Sequence, residues 1–104
     1  MKYLALEHER ISIPVKQREA VLAREAQALW HLVIGGFVRE QYFTGDSHEA
    51  VLILECGSLQ EAQGLLNALP LVKEGYCEFQ IRELLPYDGF GRLFEKETID
   101  HGTD

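Results

Sequence analysis

Five side chains able to carry chemistry, Arg39, Glu40, Tyr42, Asp46 and His48, crowd into the stretch from Gly36 to Cys56. The segment reads as two strand-like runs joined by a short polar turn, so core and chemistry meet in one hairpin. Glu40 is a candidate catalytic base, because a carboxylate among aliphatic groups loses water and its pKa rises toward the range useful for proton abstraction. The competing role is an edge-strand glutamate paired with a nearby Arg or Lys. His48, two residues after Asp46, is the second catalytic candidate, since an imidazole titrating at about 6.5 suits a proton shuttle; otherwise it is a solvated turn residue. Arg39 offers a planar fork to a substrate carboxylate or pairs with Glu55. Tyr42 and Trp30 supply aromatic walls and a donor to such a pocket, or pack in the core with their polar tips satisfied. Asp46, His48 and Glu49, or His8 with Glu9, have neither a recognised ligand spacing nor a third partner, so no metal is expected.

These groups need elements to hold them. Lys2 to His8 alternates and begins as a strand, and Ile11 to Pro14 breaks its continuation. From about Val15 the period changes to that of a helix. Leu22, Ala26, Leu29 and Val33 fall on one stripe with Trp30 on its shoulder, Arg24, Gln27 and His31 point away, and Gly35-Gly36 marks the end. In the hairpin, a turn over Thr44 to His48 sets Phe43 opposite Glu49. Val38, Glu40 and Tyr42 then share the aliphatic, helix-facing side with Ala50, Leu52 and Leu54. Ser58-Leu59-Gln60-Glu61 is a capping-box pattern, and Ala62, Leu65, Leu66 and Leu69 give a second helix that Pro70 ends. Gly64 inside it suggests close packing on the sheet. Cys77, Phe79 and Ile81 alternate with Glu78, Gln80 and Arg82 in a fourth strand. The order β-α-β-β-α-β defines an α+β class, the ferredoxin-like arrangement with an antiparallel sheet and both helices on one face. Its other face, with Phe37, Phe43, Val51 and Ile53, is too apolar to stand alone, and a second subunit is the economical cover.

A chain of 104 residues, 46% of them hydrophobic, buries one core, so residues 1–94 are expected to form a single domain. Within it, residues 85–94 read as an aromatic arm laid over a neighbouring subunit, the pocket mouth or its own domain, and residues 95–104 as a flexible polar tail. The net charge of −7, with scattered basic residues, argues against nucleic acid as a partner. No apolar run approaches a signal or a membrane span, so a cytoplasmic protein is expected. Cys56 and Cys77 have no ligand-like spacing and read as buried free thiols.

The tract Trp30 to Tyr42 with Gly36 and Arg39, the Leu69-Pro70-Leu71 after the second helix and the Pro86 after the last strand resemble the muconolactone isomerase-like group. That group belongs to the dimeric α/β-barrel superfamily, alongside the YCII-related proteins. The resemblance spans roughly residues 2 to 90 in the order of elements. It implies two ferredoxin-like units packed sheet to sheet, often within larger rings, with a small-molecule pocket between each sheet and its helices. It also implies chemistry without metal or organic cofactor. Glu40, Gln41, Tyr42 and Phe43 after Arg39 depart from the more basic, tryptophan-bearing strand of true muconolactone isomerases. The substrate and the proton-transfer groups therefore do not carry over. The expected function is a cofactor-independent enzyme that moves a proton on a small anionic carbonyl compound such as a lactone. Glu40 or His48 would be the base, and Arg39 or Tyr42 would hold the enolate oxygen. The alternative is a ligand-binding or assembly module of the same fold without catalysis.

Overall fold

Two sheet-spanning strands frame the molecule. The computed structural model describes residues 1–94. In it, β1 (Lys2–Glu9) and β4 (Cys77–Leu84) pair antiparallel along their whole length, and β3 (Ala50–Glu55) pairs with the other side of β1. β2 (Val38–Phe43) closes the far edge, giving the sheet order β2-β3-β1-β4. Three helices join the strands: α1 (Val15–Ile34), α2 (Leu59–Asn67) and the single-turn α3 (Pro70–Lys73). The expected ferredoxin-like order is present with one addition. Pro70 does not simply stop the second helix; it occupies the first turn of α3, where its missing N–H costs nothing.

Local signals set the boundaries. Ser58 Oγ accepts from the Glu61 N–H at 3.1 Å, and the Glu61 carboxylate reaches back to the Gly57 N–H at 2.7 Å. The start of α2 is thus capped from both sides. At the end of α1, Gly36 takes φ 85°, Gly36 N–H donates to Val33 O, and Phe37 N–H donates to Leu32 O. Gly75 repeats this arrangement after α3, with Tyr76 N–H on Leu71 O. Both are Schellman closures, which glycine adopts without a Cβ penalty. Gly64 departs from expectation: a Cβ there would meet nothing within 4 Å, so the helix does not press on the sheet at that point.

The core lies between the sheet and the helices. Tyr3, Ala5, Leu52, Leu54 and Val38 project from the strands onto Ala62, Leu66 and Leu69, with Ala28, Leu29, Leu32 and Val33 of α1 packed alongside. A smaller cluster of Val21, Leu71 and Cys77 closes one end. The inward stripe of α1 therefore runs through Val21, Glu25, Ala28 and Leu32, flanked by Leu29 and Val33. The expected stripe is rotated: Leu22 is 41% exposed and Ala26 is exposed.

The hairpin register differs from expectation in a way that matters. Val38 pairs with Leu54, but Glu40, not Arg39, pairs with Ile53, so Arg39 is the extra residue of a β-bulge. Beyond it, Gln41 lies opposite Leu52, Tyr42 opposite Val51 and Phe43 opposite Ala50. Val38 alone keeps the helix-facing side. Glu40 and Tyr42 are turned to the open face with Val51 and Ile53, and Phe43 goes to the helix side. Phe37 also leaves the expected open patch and packs against the core. The open face that remains carries Leu4, Leu6, Tyr42, Val51 and Ile53, and no helix of the described residues covers it.

The rotated stripe gives a direct test. Val21→Ala, at a side chain 2% exposed on the inward face of α1, is expected to lower stability by about 1–3 kcal/mol. Leu22→Ala is expected to cost under about 1 kcal/mol. Equal losses in urea denaturation would contradict the assignment of the inward face.

Candidate active site

The groups singled out in sequence do not converge. Glu40 accepts from the Tyr42 hydroxyl at 2.7 Å on the open face, and this bond holds the phenol pKa above its ordinary value. Both side chains are exposed. Trp30, 60% exposed, lies on α1 and thus on the other side of the sheet, so it cannot wall a pocket with Glu40. Arg39 turns back on its own chain, its Nε donating to Gly36 O at 2.7 Å. The expected Arg39–Glu55 pair is replaced: Glu55 binds the Met1 ammonium at 2.6 Å, which holds its carboxyl below the usual range. His48 sits in the hairpin tip with φ 55°, stacked on Phe43 at 3.9 Å between ring centroids. Asp46 accepts from the Ser47 backbone and hydroxyl, which lower its pKa and occupy it in the turn. Among the described residues no three His, Cys, Asp or Glu side chains gather as a metal site.

A different set does converge, at the end of the sheet where β1 finishes and β4 begins. Glu25 stands in the middle of the inward stripe of α1, half-buried, and accepts from the Leu71 N–H at 3.0 Å. That N–H belongs to the first turn of α3 and would otherwise lack a partner. Burial raises the Glu25 pKa, the Leu71 N–H opposes the rise, and the charge of Glu7 adds to it. Glu7 projects from β1 toward the helices and accepts from the Ala50 N–H at 3.0 Å. The paired register of β1 and β3 ends at Leu6 and Val51, so the Glu7 carboxylate supplies the next link between the strands. Cys77 lies beside both acids; burial first, then Glu7 and Glu25, push its thiol up to about 12, so it remains a neutral S–H.

Gln41 and Phe43 face the helix side by register yet are exposed, so α1 leaves this end of β2 uncovered. Arg18 lies seven residues before Glu25 on the same helix face, exposed and without an ion pair among the described residues. Glu25 thus stands beside Glu7 and Cys77, next to the buried cluster of Val21 and Leu71, with Arg18 two turns earlier on the same helix. Sequence reasoning missed Glu25. The available signal was a carboxylate at the i+4 position of the stripe Val21, Glu25, Ala28, Leu32, where an apolar residue belongs.

No protein-family model matches the chain and no curated protein matches it in sequence, so its likeness to known proteins is one of structure. The architecture is a ferredoxin-like α+β fold. It is similar to muconolactone isomerase, with a TM-score of 0.73 at 14% identity, over 85% of this chain and 92% of the other. It is also similar to 5-chloro-2-hydroxyhydroquinone dehydrochlorinase from Burkholderia phenoliruptrix AC1100, solved in complex with 2,5-dihydroxybenzoquinone. There the TM-score is 0.59 at 17% identity, over 82% and 94% of the two chains.

The raised Glu25 pKa has a definite sign in stability. The folded state holds this proton more tightly than the unfolded chain, so the contribution is full below the ordinary value of 4.5 and is lost as pH rises through the folded value. Glu25→Gln keeps the acceptor for Leu71 and removes the titration. Relative to the native protein it should gain stability as the pH rises above 4.5 in denaturant titrations. A pH-independent difference would contradict the buried, raised carboxyl.

Proposed function

We propose that this chain is a cofactor-independent enzyme that moves a proton on a small anionic carbonyl compound, at Glu25 where β1 ends and β4 begins. The observation that carries this reading is Glu25: a half-buried carboxyl, fixed by one backbone N–H, with its pKa raised by burial and by a second acid nearby. A base of that kind takes a proton from carbon adjacent to a carbonyl as the C–H electrons move onto the oxygen. The conjugate acid then returns the proton at another carbon, which is an isomerisation. Arg18, two turns before Glu25 on α1, would hold the substrate carboxylate, and the Cys77 S–H beside Glu25 offers a donor toward the developing enolate. Support also comes from the two similar structures, proteins named for reactions on a lactone and on a chlorinated hydroquinone.

Glu40 and Tyr42 are the second place for the chemistry. Their 2.7 Å hydrogen bond lies on the uncovered apolar face, and a second copy packed there would enclose it. The same copy would satisfy the exposed aliphatic groups of that face, so we propose a homo-oligomer built on it. His48 and Arg39 would act at its rim. A ligand-binding module without turnover differs in its chemistry, since it would show occupancy without exchange.

The test uses a panel of unsaturated lactone acids in deuterium oxide, followed by proton NMR. Exchange is expected, with an acid limb above the ordinary glutamate value. Glu25→Gln is expected to reduce it by about 10²–10⁴-fold, and Glu40→Gln to leave most of it. Loss in Glu40→Gln alone would move the base to the open face. Binding with no exchange in the native protein would favour the binding module.

A further inference from the structure

The segment that follows β4 is the least explained part of the surface. Leu85, Tyr87, Phe90 and Leu93 are 77%, 74%, 68% and 65% exposed. One such side chain on a surface is ordinary; four within nine residues form an apolar arm that water does not favour. The arm is not shapeless. Tyr87 and Phe90 meet edge to face at 4.8 Å, and the N–H groups of Gly91, Arg92 and Leu93 donate to Asp88, Gly89 and Phe90. All of these bonds lie inside the arm.

A receiving surface lies elsewhere on the fold. β4 is an edge strand with β1 on one side only. Beside it, α2 leaves a groove of about 280 Å³, floored by Leu66, Val72, Phe79 and Ile81, with Leu59 and Gln63 on one wall and Glu78 at the rim. This is small for a drug-sized ligand, whose pockets start at about 300 Å³, but suits one or two side chains. Glu78 has no ion pair among the described residues, and neither does Arg92, two residues past Phe90. Apolar arm and apolar groove are therefore matched in charge as well.

The arm does not reach its own groove. It leaves after Leu84, five residues beyond Phe79 and so roughly 16 Å further along the strand. Pro86 holds Leu85 extended, which carries the chain onward rather than back. We propose that the arm of one copy, residues Leu85–Leu93, seats in the α2–β4 groove of a second copy, with Phe90 among Leu66, Phe79 and Ile81 and Arg92 on Glu78. Because each copy has one arm and one groove, a two-fold pair satisfies both at once. This inference does not depend on the catalytic reading, since Glu25 is outside the groove.

Cysteine trapping tests it, because Cys56 and Cys77 are buried and do not compete. Full-length Phe90→Cys is mixed with full-length Gln63→Cys under mild oxidation. A disulfide joining one chain of each kind is expected at roughly tenfold or more over a control mixture of Phe90→Cys with Lys16→Cys, on exposed α1. In parallel, the exposed-site double variant Tyr87→Ser/Phe90→Ser is expected to raise the dimer dissociation constant by about tenfold or more in sedimentation, with the thermal midpoint of the monomer unchanged. No excess of the mixed disulfide over the control would overturn the proposal. So would a disulfide that closes within single chains when both cysteines are placed on one chain at high dilution.

Discussion

One inserted residue, Arg39, decides which side of the sheet carries which chemistry. The bulge follows directly on the Schellman closure of α1, and the Arg39 side chain binds the Gly36 carbonyl that this closure leaves exposed. Val38 is thereby pressed into the core at 2% exposure, while every later residue of β2 changes face. Glu40 and Tyr42 become partners on the open side. Gln41 and Phe43 turn to the helix side, where α1 leaves them exposed. Without the bulge, β2 would place a carboxylate against the aliphatic core, at a desolvation cost that no partner there offsets.

The carboxylate that the fold does accept inside is Glu25, and its environment explains why. A half-buried acid is tolerable when a fixed donor meets its charge, and the first turn of α3 supplies one in the Leu71 N–H. Pro70 and Gly75 hold that turn, one at its start and one beyond its end. Leu71 and Cys77 shield the acid from water, and Glu7 opposes full ionisation. The result is a carboxyl whose pKa burial and Glu7 raise while the Leu71 N–H opposes the rise.

Much of the architecture was legible in sequence because it depends on local rules. The capping box at Ser58, the glycine stop after α1 and the alternation of Cys77, Phe79 and Ile81 each act within a few residues, and each appears where expected. The site was less legible. Leu22, Ala26, Leu29 and Val33 score as the more apolar stripe because the true one contains Glu25, so counting hydrophobic groups selects the wrong rotation. A bulge adds one residue without changing composition, so alternation alone carried Glu40 and Tyr42 to the wrong face. The α3 turn was hidden for a related reason: Pro70 reads as a stop signal, and only the carbonyl and N–H partners around it show that it is also a start.

The most direct measurement on this account is a carbon-13 NMR titration of the Glu25 side-chain carboxyl in the native protein and in Glu7→Gln. The account predicts a native midpoint above 4.5 and a lower midpoint once the Glu7 charge is removed. A Glu25 carboxyl that titrates at or below 4.5 and does not respond to Glu7 would contradict it.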